Sequence, residues 1–303
     1  MRTPTPALPP FDYIRPGSLA AASQFLVEHA GQARPFMGGT DLFVQMRDGG
    51  QKLQYLVDIK HLDGLQSIAL DPDGGLAVGA AIAMNRLIAS PAVSQRYPLL
   101  AESARSVASY QLRTRATVVG NLCNASPAGD TTGACMVYGG VLRVHGLRGV
   151  RDVPLAAFFE GPGRTALQPG DVVTALCLPS PPPGCVGRYI KLGRNAIGDL
   201  AIVGVTALGW PDSSAPSGYR FRLALASVAP TPLVPADAEG ILAGRAGQTI
   251  SEATIAEAAE AAMVACSPID DVRGSARYRR LMVRNLTRQA VTDVWQRLAT
   301  GRS

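Results

Sequence analysis

The 303-residue sequence is short of the side chains that most enzymes use for chemistry: it has 3 histidines and 5 cysteines, and aromatic residues make up 6%. Cys123, Cys135, Cys177, Cys185 and Cys266 contain no C-x-x-C pair, so the chain encodes neither a zinc site nor an iron–sulfur cluster of its own. An odd count, without a secretory leader, also speaks against a disulfide framework. His29, His61 and His145 have no nucleophile or metal-ligand spacing and read as helix-face, strand-end or loop residues. Few aromatics mean few stacking platforms for bases, so the net charge of +6 does not indicate nucleic-acid binding. No run reaches the roughly 18–20 apolar residues of a membrane span; "LAIVGVTALGW", Leu200 to Trp210, reads as a buried strand. The opening "MRTPTPALPPFDYIRP" has no apolar stretch of the secretory kind, so a cytoplasmic location is expected. No G-x-G-x-x-G lies between a strand and a helix, and no Gly-Lys-Ser/Thr follows a glycine loop, which excludes the two common nucleotide cradles.

What remains is ample apolar material. With 47% hydrophobic and 17% charged residues, the chain can bury a large core, and its length suits two or three structural units. Ser18 caps an expected helix bearing Leu19, Ala22, Phe25, Leu26 and His29, with Gly31 placed to end it. "YLVDIK" (Tyr55 to Lys60) is a strand, and "SIALDPDGGLAVG" is a hairpin around its Asp-Pro-Asp-Gly-Gly turn. Helices are expected near Arg86 to Ser90 and from Ser94 to Ser109. Strands follow near Val141 to His145, Val172 to Leu178, Arg188 to Leu192, Leu200 to Leu208 and Phe221 to Val228. "PSPPPGC", Pro179 to Cys185, is the natural boundary, because consecutive prolines continue neither ladder nor helix. Ser251 and Ser275 start two helices, ending near Cys266 and before Gly301. In the second, Tyr278, Met282, Leu286, Ala290, Val294 and Leu298 form an apolar face, leaving Arg279, Arg280, Arg284, Arg288 and Arg297 mostly elsewhere, on a solvated face or on that of a membrane-surface or docking helix.

Two segments are rich in small and polar groups. "FMGGTDL", Phe36 to Leu42, has consecutive glycines that suit either a plain turn or a turn whose N–H groups approach phosphate oxygens, with Thr40 adding a hydroxyl. "TVVGNLCNASPAGD", Thr117 to Asp130, reads as irregular. Its donors Thr117, Asn121, Asn124 and Ser126, its glycines at 120 and 129 and its acceptor Asp130 need partners, which either solvent or a polyhydroxylated, phosphorylated ligand supplies.

These stretches resemble a known family. "RPFMGGTDLFVQMRDG" and "QLRTRATVVGNLCNASPAGD", with "YIKLGRNAIGDLAIVGVTA", "SVAPTPL" and "DVRGSARYRRLMVRNLTRQA", resemble in order the FAD-binding medium subunit of the molybdenum hydroxylases, the family of xanthine dehydrogenase and aerobic carbon monoxide dehydrogenase. The resemblance implies an α+β fold: a two-subdomain FAD-binding fold of the molybdenum-hydroxylase and vanillyl-alcohol-oxidase type, then an α+β C-terminal domain with a small antiparallel sheet and helices. The expected divisions are 1–56, 57–179 and 180–303. It implies FAD held without a covalent bond. Arg34, Pro35, Phe36, Met37, Gly38, Gly39, Thr40 and Asp41 would embrace the pyrophosphate. Ala116, Thr117, Val118, Val119, Gly120 and Asn121 would form the opposing loop. Asp130 would hold ribityl hydroxyls, and Lys191 would sit near the flavin's pyrimidine edge, with Asp199 close by. Where the family pattern has its first of two glycines, this chain has Val119, so either the backbone there is extended or flavin affinity is reduced.

The same resemblance implies no catalytic residue acting on an organic substrate in this chain. An iron–sulfur subunit with 2Fe-2S clusters and a molybdenum-cofactor subunit are the expected partners, as a dimer of heterotrimers, with electrons passing through FAD to an external acceptor. Two other readings stay open: a self-contained flavin oxidase or reductase of the same fold, and a flavin-free scaffold.

Overall fold

The computed structural model describes residues 7–195, 197–244 and 249–301; the first six residues of the opening segment, and both ends of the expected domain divisions, lie outside them. The described residues form four sheets, of which three carry most of the chain and the fourth is the short antiparallel pair Phe159–Gly161 and Arg164–Thr165. The first is parallel, ordered Asp12–Ile14, Tyr55–Asp58, Ala33–Phe36. Its middle strand pairs Val57 with both Ile14 and Pro35, and the helix Leu19–Glu28 makes the crossover. The Ser18 hydroxyl caps that helix by accepting from the Ala21 N–H at 3.1 Å, and Gly31 has φ +80° just beyond it.

The second sheet is antiparallel, ordered Ile68–Leu70, Leu76–Gly79, Val172–Leu178, Val141–Gly146, Gly149–Pro154. The hairpin turn closes as expected, with Asp71 N–H donating to Gly75 O at 2.8 Å. The third sheet is an antiparallel meander of Val186–Leu192, Val203–Pro211 and Tyr219–Ala226, starting directly after the proline run. Helices Glu252–Ala265 and Ala276–Ala299 cover it, burying Ile255, Ala258, Ala262, Val283, Ala290, Val291 and Val294 against Val205, Leu223 and Leu225. A capping box at Ser251 and Thr254 and the Ser275 hydroxyl start those two helices.

Four expectations need correction. The helix expected from Ser94 to Ser109 is two, Pro91–Arg96 and Pro98–Arg105, because Pro98 lacks the N–H that would continue the first and serves as the first residue of the second. The segment from Thr117 is not irregular: Val118–Asn124 is helical. The strand expected from Leu200 begins only at Val203. In the last helix Arg279 is buried, at 3% exposed, while Tyr278 is 42% exposed. The buried stripe runs through Arg279, Val283, Thr287, Ala290, Val291 and Val294, a 3–4 spacing instead of a strict repeat of four.

Candidate functional site

The strand Ala33–Phe36 runs straight into the turn Gly38–Asp41, and the helix Leu42–Arg47 follows. Gly39 adopts φ +74°, and a Cβ there would press on the Phe36 ring at 2.6 Å, so the turn needs a residue free in the left-handed region. At Gly38 a Cβ would overlap the carbonyl oxygen of Arg115. The absence of that carbon is what lets this turn touch the segment leading into Thr117.

That second segment is set by its own chemistry. Ala116 O accepts from Met84 N–H at 2.8 Å, pinning the extended approach. Thr117, in extended conformation, caps the helix Val118–Asn124 by accepting the Gly120 N–H at 2.9 Å. Ala125 ends it in the left-handed region, φ 47°. The two segments are tied across their far end, where Gln45 Nε2 donates to Asn124 Oδ1 at 2.8 Å.

Between them lies a cavity of about 870 Å³, within the usual size range of small-molecule and cofactor sites, about 300–1,000 Å³. Gly38, Gly39, Thr40 and Asp41 line one wall, and Ala116, Thr117, Val119, Gly120 and Asn121 line the other. The N–H groups of Gly38, Gly39, Thr40 and Asp41 have no acceptor among the described residues. A strip of four backbone donors, the first two on glycines, leading into a helix, fits the oxygens of a pyrophosphate.

Of the expected site residues, Arg34, Pro35, Met37 and Asp130 also line the cavity. Phe36, Val118 and Lys191 do not. Phe36 is 4% and Val118 1% exposed; both belong to the core behind the walls. Lys191 stands behind Asp130, its Nζ donating to Asp130 Oδ2 at 2.8 Å and to Ser106 O at 3.1 Å. The Tyr189 hydroxyl donates to the other Asp130 oxygen at 2.6 Å. Burial raises the Asp130 pKa, and the Lys191 ammonium and the Tyr189 hydroxyl only partly oppose it. Burial likewise raises Asp41, and it pushes the Cys123 thiol up to about 12, the Arg34 guanidinium opposing.

Val119 is neither extended nor an obstacle to the turn. It lies in the helix, outside the positive-φ residues, and its side chain is 3% exposed. A valine in the first turn of a helix costs little and adds core contact. Asp199 lines the cavity and accepts N–H groups from Arg194 at 2.6 Å, Leu200 at 2.9 Å and Asn195 at 3.3 Å, so its carboxylate is engaged by its own neighbours in the chain. The backbone N–H of Arg194, foremost, holds its carboxyl below the usual range.

Sequence reasoning missed the wall at 160–171, where Arg164, Gln168 and Asp171 line the cavity, and it missed Gln45, Tyr189 and Ser106. Tyr189 had a readable signal in its two-residue spacing from Lys191, which puts both on one face of a strand. Among the described residues no His/Cys/Asp/Glu group could hold a metal, and no helix is long and apolar enough to cross a membrane.

Comparison with known proteins places this geometry. Residues 9–181 match the FAD binding domain in molybdopterin dehydrogenase, and residues 188–294 match the CO dehydrogenase flavoprotein C-terminal domain. The carbon monoxide dehydrogenase medium chain of Hydrogenophaga pseudoflava is 31% identical over 291 residues, 96% of this chain and 99% of its own. The xanthine dehydrogenase FAD-binding subunit of Escherichia coli O157:H7 is 30% identical over 93% of this chain and 94% of its own. A solved carbon monoxide dehydrogenase from H. pseudoflava, lacking the Mo-pyranopterin moiety of its molybdenum cofactor, superposes with a TM-score of 0.90 at 30% identity over 96% of this chain and 99% of that one. Quinoline 2-oxidoreductase from Pseudomonas putida 86 follows at 0.87 and 26%, over 96% and 98%.

The class is thus an FAD-dependent oxidoreductase subunit with an α+β fold. The chain belongs to the family of FAD-binding medium subunits of the molybdenum-containing hydroxylases.

Proposed function

We propose that the chain is the electron-transfer subunit of a heteromeric molybdenum hydroxylase, standing between a subunit with 2Fe-2S clusters and an external acceptor. The observation that carries this reading is the meeting of two backbone-rich walls around one cavity, Gly38 to Asp41 facing Ala116 to Asn121. Bound there, FAD supplies redox chemistry that connects one-electron donors to two-electron acceptors.

The chain's own residues bind and orient. The free N–H groups of Gly38 to Asp41 hold the pyrophosphate oxygens, and the Arg34 side chain at the cavity wall adds positive charge. Asp130 presents a carboxylate to ribityl hydroxyls while Tyr189 and Lys191 fix it from behind. Lys191 thereby acts through Asp130, as well as placing a cation one side chain away from the cavity. Phe36 and Val118 support the walls from the core.

The names "medium chain" and "FAD-binding subunit" among the relatives support the existence of partner subunits; in this reading one partner carries iron–sulfur clusters and the other a molybdenum cofactor, and the complex is a dimer of heterotrimers in the cytoplasm. The order of the larger sheets along the chain is compatible with three divisions near 1–56, 57–179 and 180–303, although the strand Tyr55–Asp58 of the first sheet runs across the first boundary. The test is purification of the intact complex, expected to contain one FAD per copy of this chain together with an iron–sulfur subunit. A chain that purifies with stoichiometric flavin and never with an iron–sulfur partner overturns the subunit reading. A spectrum without flavin bands overturns the cofactor reading in favour of a scaffold, and steady alcohol turnover by the isolated chain would favour a self-contained oxidase.

A further inference from the structure

The buried Arg279 has a more particular surrounding than core packing requires. Its Nη1 donates to Ile202 O at 2.7 Å and to Ser227 O at 3.0 Å, and its Nη2 donates to Asp271 Oδ1 at 2.7 Å. Ser227 itself is in the left-handed region, φ +66°, where a non-glycine residue is strained. In that conformation its N–H donates to Pro127 O at 2.7 Å and its hydroxyl donates to Ala201 O at 2.7 Å.

Those two acceptors are well placed. Pro127 lies between Ser126 and Ala128, both lining the cavity, and just before Gly129 and Asp130, which line it too. Ala201 follows Gly198, Asp199 and Leu200, which also line the cavity. One strained residue therefore grips both segments, and one buried guanidinium from the last helix grips that residue.

We infer that Arg279 is a positioning residue for the FAD cavity: through Ser227 it locks the segments at 126–130 and 198–201 to the C-terminal helices. This rests on the FAD reading above. A charged side chain kept buried while its Nε finds no partner among the described residues is costly unless its other bonds hold something in place. The carbonyls of Ile202 and Ser227 come from different strand ends, and only a planar fork reaches both and a carboxylate together.

The test uses the full-length chain, stripped of flavin and titrated with FAD, with affinity read from fluorescence and asymmetry of the bound flavin from visible circular dichroism. Arg279→Gln is expected to weaken FAD binding about tenfold and to change the visible dichroism, while far-UV dichroism of the flavin-free protein is unchanged; Arg279→Lys recovers part of the loss. Ser227→Gly separates positioning from stability. It relieves the strain and removes the bond to Ala201 O, so thermal stability of the flavin-free protein holds or rises while FAD binding weakens about threefold. If the wild type binds FAD and both variants match it in affinity and dichroism, the positioning role is overturned. If Arg279→Gln does not fold, Ser227→Gly decides alone. A wild type that binds no FAD overturns the cofactor reading and this role with it.

Discussion

The two walls of the cavity achieve the same end by opposite means. At Gly38 to Asp41 the backbone leaves regular structure: Gly39 is left-handed, and Gly38 comes so close to Arg115 that no Cβ fits. At Thr117 to Asn121 the backbone enters a helix, with Thr117 as cap and Val119 in the core. A Cβ at Gly120 would meet only the Thr117 hydroxyl. Backbone donors can be offered to an anion by an irregular turn or by the first turn of a helix. Glycine at positive φ is required only in the former; in the latter Val119 is helical and packs its side chain into the core.

Substitution can break this contrast. The largest effect is expected from Gly38→Ala: its Cβ must displace backbone, so the turn separates from Arg115 and FAD binding weakens at least a hundredfold, about 3 kcal/mol, measured by titration calorimetry. Val119→Gly comes next. If the second wall is a helix start, restoring glycine removes a buried side chain and adds backbone freedom, lowering stability by about 2–3 kcal/mol in denaturant unfolding, with no gain in FAD affinity. Tighter FAD binding by that variant would break the contrast. Thr117→Ala should cost about 1 kcal/mol through the lost cap and show a modest fall in flavin affinity in the same titration.

The smallest effect concerns the far wall. Burial works against the Asp171 carboxylate, but its pair with Arg151, at 2.7 Å, and the Gln168 N–H, at 2.6 Å, outweigh it and hold the pKa below the ordinary 3.8. With a lowered folded pKa, the stability it contributes is present above pH 3.8 and is lost as pH falls through the folded value. Asp171→Asn should therefore lower the melting temperature at pH 7 and narrow the gap from wild type below pH 3.8, while leaving the Gly38 wall's response unchanged.

Much of the local structure was legible in the order of residues. Ser18, Ser251 and Ser275 cap as their hydroxyls and spacing suggest, and Asp71 to Gly75 turns as its composition suggests. The consecutive glycines and the run from Thr117 marked both cavity walls. The helix at Val118–Asn124 was missed because glycine, two asparagines and β-branched valines weaken its propensity; the Thr117 cap and tertiary packing override that. The break at Pro98 was there to be read and was not. Arg279 was misplaced for a different reason. Its acceptors at Ile202 and Ser227 lie 77 and 52 residues away, and no periodicity within one helix can announce carbonyls on other strands.

The sequence by itself determined caps, turns and the alternation of small and bulky stretches, because those depend on groups within about four residues of one another. Only the tertiary structure decided that the Gly38 turn abuts Arg115, that Asp130 is held by Tyr189 and Lys191 from 59 and 61 residues away, and that an arginine of the last helix is buried. Those outcomes are set by close packing and by the need of buried polar groups to find partners, wherever along the chain the partners lie.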